Sequence, residues 1–125
     1  MKGRFHVPKR GRLERTAERV VAQVMRRMPE AIRTQAEACQ VVIGWGEELG
    51  IEPDLLGWFT GRSRLDGEPT HVDEMPEIVL VADHLWEFSD HRADVYEHEI
   101  ATTFLHELGH YLGLDEDDIL ERGLD

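Results

Sequence analysis

The stretch that decides the fold is residues 92–113, RADVYEHEIATTFLHELGHYLG. When it is stepped at 100° per residue from His106, the apolar side chains fall on one arc between about 120° and 260°. They are Ile100, Ala101, Phe104, Leu105, Leu108, Tyr111 and Leu112. The pattern predicts an amphipathic helix whose apolar arc faces the core. Gly113 is expected to end it, because glycine tolerates the positive φ at which helices commonly stop.

The opposite, polar face of this helix carries the residues with chemistry. His110 falls at about 40° from His106 and Glu107 at about 100°. Two imidazoles four residues apart stand one helical turn apart and can bind one metal ion, while Glu107 is offset enough to reach a water molecule on it. Zinc lowers the pKa of such a water from about 15.7 towards about 7, and a carboxylate can take its proton as it attacks a polarised carbonyl. The spacing predicts zinc on His106 and His110, with Glu107 as general base.

A third ligand is expected from beyond the glycine turn. In the extended pattern H-E-x-x-H-x-x-G-x-x-H, the last position corresponds to Glu116, which offers a carboxylate oxygen in place of an imidazole. Asp115 is the competing ligand, although it is also suited to cap a short helix that follows it. We favour Glu116 and keep Asp115 open, and a purely structural role for both remains the third possibility.

The rest of the chain predicts one core of helices on a small sheet. Helical periodicity begins near Leu13 and ends at Pro29, and a further helical turn is expected over residues 30–38. Strands are expected at residues 40–45, 56–60 and 77–82, with a polar Gly- and Pro-containing loop at 62–75. Asp83 is predicted to cap a short helix through Trp86 and Phe88.

Several other side chains have simpler interpretations than a role in chemistry. We expect core or rim packing from the large aromatic residues Trp45, Trp58, Phe59, Trp86 and Phe88. Surface or capping positions are expected for four histidines that lack metal-ligand spacing, His71, His84, His91 and His98. Cys39 is expected to be a small apolar residue at a strand edge. Candidate donors to a reaction oxyanion are Tyr96, His98 and Thr103 before the glycine turn and Arg122 after it.

Charge is unevenly distributed along a chain whose net charge is −12. Residues 1–33 hold ten of the 14 lysines and arginines but only three of the 26 acids. We therefore divide the chain into a flexible basic arm at residues 1–12 and a domain at residues 13–125. The arm lacks a nucleic-acid recognition motif and the acidic body would repel a polyanion, so we do not expect nucleic acid as a partner.

The sequence also gives an expectation for the cellular compartment of the protein. The longest apolar run, Ile78–Ala82, is far shorter than the roughly 20 residues that span a bilayer, so no membrane is expected as a partner. No apolar segment near the N-terminus resembles a secretory signal, and the single cysteine cannot form an internal disulfide. We expect a cytoplasmic protein. Its oligomeric state is not predicted.

The motif at residues 106–116 resembles that of zincin metallopeptidases, in particular the small bacterial minimal zincins. The resemblance implies an α+β fold in which a small mixed sheet packs on an N-terminal helix and a C-terminal metal-binding helix. It implies zinc on His106, His110 and an acidic third ligand, Glu107 as base, and hydrolysis of peptide bonds in a peptide or protein substrate. All four methionines precede the motif, so the methionine turn that underlies the zinc site of metzincins is missing.

Two alternatives remain open at this stage. Few residues follow Glu116 to wall a substrate cleft, which favours as the second hypothesis a zinc-binding, non-catalytic protein-interaction module. The strand at 78–82 is either an edge that pairs with an extended peptide, as in zincins generally, or a buried inner strand.

Overall fold

The computed structural model describes residues 10–114, which form five helices and a three-stranded sheet. The first helix, α1, covers Arg10–Arg27, so the predicted start near Leu13 is three residues late. Pro29 ends this helical stretch as predicted, and α2 follows at Glu30–Ala36. Residues 10–12 of the predicted flexible arm belong to α1, whereas residues 1–9 lie outside the described residues and stay a prediction.

The sheet contains β1 at Gln40–Gly44, β2 at Gly57–Thr60 and β3 at Glu77–Val81. The strand order is β1-β3-β2, with β3 parallel to β1 and antiparallel to β2. The sheet is therefore mixed, and the α+β class is confirmed. Because β3 has a neighbour on each side, the edge interpretation of residues 78–82 is wrong and the inner-strand alternative is confirmed. A continuous apolar run is typical of a strand covered on both faces.

Three further helices complete the domain: α3 at Gly46–Leu49, α4 at Ala82–Phe88 and α5 at Ala93–Tyr111. Asp83 does not cap α4, whose N-cap is Val81. Its carboxylate instead accepts hydrogen bonds from the backbone N–H of Gly46 at 2.8 Å and of Glu47 at 3.4 Å. Asp83 thus caps α3 from across the fold, which satisfies backbone donors that α3 cannot bond internally.

The core lies between one face of the sheet and the two long helices. Its α5 side is the predicted apolar arc, with Ile100, Phe104, Leu108 and Tyr111 buried and Ala101, Leu105 and Leu112 partly buried. From α1 come Leu13, Ala17 and Val20, and from β3 come Ile78 and Leu80. The hydroxyl of Tyr96 donates to the carbonyl of Leu13 at 2.9 Å and joins α5 to α1.

Two side chains, His84 and Phe88, differ in burial from what the sequence predicts. His84 is buried, and its Nδ1 lies 2.7 Å from the carbonyl oxygen of Leu55, so the surface interpretation of this histidine is wrong. Phe88 is 59% exposed, so core packing, one of the two roles expected for it, is wrong. Cys39 is buried as expected, and burial raises the pKa of its thiol to about 12, which keeps it protonated and inert.

Candidate metal centre

The centre lies on the polar face of the C-terminal half of α5. His106, Glu107 and His110 are each partly buried, and one ligand atom from each lies within 4.8 Å of the other two. The Nε2 atoms of His106 and His110 are 3.2 Å apart, and the two ring planes are inclined at 85°. The helix therefore brings together the three residues that the sequence pattern selected.

This arrangement fits a zinc ion. Two nitrogen ligands at about 2.0–2.1 Å from a tetrahedral ion lie about 3.3 Å from each other. The observed Nε2 separation of 3.2 Å matches that value. Imidazole nitrogen and carboxylate oxygen are donors that zinc accepts. Among residues 10–114, the set can supply two imidazole ligands and a carboxylate beside them.

Strand β2 runs next to this face of α5. A Cβ atom on Gly57 would lie 2.9 Å from Cγ2 of Thr103, which precedes His106 by one turn. Two residues further along β2, the ring of Phe59 packs on Tyr111, with centroids 5.8 Å apart. The strand therefore contacts α5 at one residue that precedes and one residue that follows the histidine pair in the sequence.

The outer side of β2 presents backbone groups. Val81 donates its N–H to the carbonyl of Leu56 at 2.9 Å, which makes Leu56 and Val81 a hydrogen-bonded pair. Such pairs alternate along an antiparallel ladder, so the backbone groups of Gly57 and Phe59 point away from β3. In the sheet formed by the described residues, β2 is an edge, and this edge strand contacts α5 at Thr103 and Tyr111.

The turn that ends α5 is held by the loop at residues 61–75. Gly113 has φ of +82°, as predicted for a helix-ending glycine. A Cβ atom there would overlap the side chain of Leu65, so the loop packs directly on the turn three residues after His110. Gly113 is therefore needed both for its conformation and for the close approach of Leu65.

A hydrogen-bond network ties the loop together. Glu74 accepts from the backbone N–H and the hydroxyl of Thr70, each at 2.9 Å, and from Arg62 at 3.2 Å. These bonds, those from Thr70 first, lower the pKa of the Glu74 carboxyl to about 2. Arg62 also donates to the carbonyl of Asp66 at 2.5 Å. The loop therefore positions Leu65 through internal bonds.

The remaining predicted site residues differ in position and burial. Tyr96 is buried and bonded to Leu13, so its suggested role as an oxyanion donor is wrong. Thr103 lies beside β2 on the metal face, whereas His98 is exposed. Asp115, Glu116 and Arg122 lie outside the described residues. The choice of third ligand stays a prediction.

Comparison with known proteins identifies the family. The model of the zincin-like metallopeptidase family matches residues 31–124. The chain belongs to this family. The matched segment of this zincin-like chain begins in α2 and includes all three strands and α5. No curated protein is similar enough to the chain to count as a match.

Membership of this family implies zinc binding and suggests peptides as substrates. None of the helices within residues 10–114 has the length and apolar character needed to cross a bilayer.

Two features of the site escaped sequence reasoning. The sequence segment 56–60 signals a strand, but nothing in it shows that this strand, and not 77–82, forms the edge next to α5. Leu65 stands in a polar loop, and its packing on Gly113 depends on how the whole loop folds back.

Proposed function

We propose that this zincin-like protein is a zinc-dependent peptidase, with His106 and His110 as zinc ligands and Glu107 as general base. Glu116 is the preferred third ligand, with Asp115 as its alternative. The observation that carries the proposal is the 3.2 Å separation of the two Nε2 atoms with the Glu107 carboxylate within 4.8 Å. This geometry supports a metal on the histidines and a base immediately beside it.

Zinc would supply a Lewis acid that polarises the scissile carbonyl and makes water more acidic. The Glu107 carboxylate takes the proton of the attacking water and passes it to the leaving amine nitrogen. His106 and His110, fixed one turn apart on a packed helix, would hold the metal near that carboxylate. Thr103 and the edge of β2 border the same space.

The outer edge of β2 offers a template for the substrate backbone. An extended peptide can pair with the outward-facing groups of Gly57 and Phe59 and so add a strand to the sheet. Because Gly57 lies at Thr103 and Phe59 at Tyr111, a peptide held there crosses α5 next to the histidine pair. Strand addition also explains how the site can accept a peptide without a deep cleft.

The direct test compares zinc-loaded wild type with Glu107→Gln on a broad peptide mixture, with products read by mass spectrometry. We expect Glu107→Gln to retain zinc by metal analysis and to lose about 10²–10⁴-fold in rate, as for loss of a general base. Glu47→Gln, an equal charge change on α3, is the matched control and should retain the wild-type rate. Equal rates for wild type and Glu107→Gln, or no cleavage by zinc-loaded wild type, would contradict the proposal. Zinc content of Glu116→Gln beside Asp115→Asn tests the third ligand.

The second hypothesis, zinc as a structural element of a binding module, makes a different prediction. None of His106, Glu107 and His110 belongs to the buried core cluster, which supports a metal attached to an already formed domain. We expect chelator-treated protein to keep its far-ultraviolet circular dichroism and a cooperative melt. A domain that unfolds when zinc is removed, as small structural zinc domains do, would favour the structural hypothesis.

A further inference from the structure

A cleft of about 550 Å³ lies between the loop at residues 62–69 and α2, at the end of α5. Its volume is in the range of small-ligand sites. Pro69, Met75 and Pro76 supply apolar walls, and Tyr111 lies at its floor. None of these residues takes part in the metal centre, so the cleft is a separate feature of the molecule.

Tyr111 presents a polar group at the floor of this cleft. The residue is only 7% exposed, and its ring packs on Phe59. Within residues 10–114 its hydroxyl makes no hydrogen bond, and the oxygen is not sealed from solvent, so it is accessible to a ligand in the cleft. Burial raises the pKa of this hydroxyl, so it remains a donor at neutral pH. A donor in this position is suited to an oxygen acceptor that enters the cleft.

Two arginines border the cleft, and they differ in whether other residues already bind their guanidinium groups. Arg62 is bonded to Glu74 and to the carbonyl of Asp66. Arg64 forms no ion pair within the described part of the chain, so its five guanidinium donors are available. Arg64 and Glu68 are both exposed and both border the cleft, so the Glu68 carboxylate is a repulsive neighbour for an anion held there. The uncommitted donors, Arg64 and the Tyr111 hydroxyl, together favour an anionic oxygen ligand.

The cleft is adjacent to the place where a substrate peptide would lie. Arg64 directly precedes Leu65, which packs on Gly113 three residues after His110. On its other side, Tyr111 contacts Phe59 of the edge strand β2. A group attached to a peptide on that edge, a few residues from the metal, therefore has a short path into the cleft.

We propose that this cleft is a substrate subsite for a peptide carboxylate, held by the Arg64 guanidinium and the Tyr111 hydroxyl. The carboxylate is that of an aspartate or glutamate side chain, or the free C-terminus of the peptide. The proposal rests on the proposed function for the position of the peptide, but it concerns binding and is measured without turnover.

The test uses Glu107→Gln protein, so that no substrate is consumed, titrated with short alanine-based peptides and followed by NMR shifts. One peptide pair carries Glu or Gln within a chain blocked at both ends, and a second pair has a free or an amidated C-terminus. We expect the carboxylate member of at least one pair to bind about tenfold more tightly than its neutral partner. The pair that shows the preference identifies the source of the carboxylate.

Second-site variants separate the subsite from a general charge effect. Arg64→Gln should remove the preference, and Tyr111→Phe, which keeps the ring on Phe59, should reduce it. Glu68→Gln should increase the preference because it removes a repulsive neighbour. Arg26→Gln, the same charge change on an exposed residue outside the cleft, is the control and should leave it unchanged.

The outcomes are distinct from those of the proposed function. Equal binding within both peptide pairs, or an equal loss in Arg26→Gln and Arg64→Gln, would overturn the subsite. A carboxylate preference in a protein whose zinc-loaded wild type cleaves nothing would leave the subsite standing and remove the peptidase. Cleavage without any carboxylate preference would support the peptidase and overturn the subsite.

Discussion

Helix α5 has two faces with different roles: one packs in the core, and the other carries the metal centre. On the core face, Ile100, Phe104 and Leu108 are at most 1% exposed and pack on the sheet and α1. On the metal face, His106, Glu107 and His110 are only partly buried and belong to no part of the core cluster. Burial of apolar surface provides most of the folding free energy, so the core face stabilises the helix and the metal face is positioned by it. Substitutions on the metal face can therefore alter the chemistry with little effect on the fold.

The largest effect is expected from removing the centre of the core face. Phe104→Ala deletes a buried aromatic ring and leaves a cavity, which typically costs about 3–5 kcal/mol in the free energy of unfolding. A domain of this size has about 5–15 kcal/mol to lose. Urea unfolding of the metal-free protein measures the change. Because the ring contributes nothing to the metal centre, zinc affinity of the folded fraction should be retained.

The matching experiment on the metal face measures urea unfolding of His106→Ala, also as metal-free protein. The side chain is partly exposed and outside the core cluster, so we expect a change below about 1 kcal/mol together with loss of zinc. If His106→Ala destabilised the metal-free domain as much as Phe104→Ala, the separation between the two faces of α5 would be refuted.

The division of α5 into these faces was predictable, because a 3.6-residue repeat fixes which residues share a side of a helix. The histidine pair, the apolar arc and the glycine turn all follow from that local rule. The position of β3 inside the sheet did not follow, because strand order depends on pairings between segments far apart in sequence. An inner strand and a covered edge strand have the same apolar composition.

The errors at Asp83 and His84 have the same origin. Asp83 stands where a cap of α4 is expected, yet its carboxylate bonds Gly46 and Glu47, which are remote in sequence. His84 is buried against the segment that leads into β2, through its contact with Leu55. A polar side chain gives no local sign of which distant backbone groups it will satisfy. The residues of the site that lie on α5 were predictable, because a single helix carries them. The parts of the molecule that surround them, β2 and the loop that carries Leu65, were not.

A smaller effect is expected where the core face includes a polar group. The Tyr96 hydroxyl donates to the backbone carbonyl of Leu13, and both groups are buried. Tyr96→Phe removes the donor and leaves the carbonyl without it, at an expected cost of about 1–2 kcal/mol. Urea unfolding checks the value, and Tyr111→Phe is the matched control, because its hydroxyl makes no such bond. An equal loss in both variants would show that the α1 to α5 hydrogen bond adds nothing.

The smallest effect concerns the loop that packs on the end of the metal face, and it depends on pH. Hydrogen bonds from Thr70, and then from Arg62, lower the pKa of Glu74 from 4.5 to about 2. Because the folded pKa is the lower one, the stabilisation is complete above about pH 4.5 and is lost as the pH falls through about 2. We expect acid to shift the methyl resonances of Leu65 before those of Leu108 on the core face. Glu74→Gln should remove this acid titration, and a Leu65 shift that persists in that variant would assign the acid response to another group.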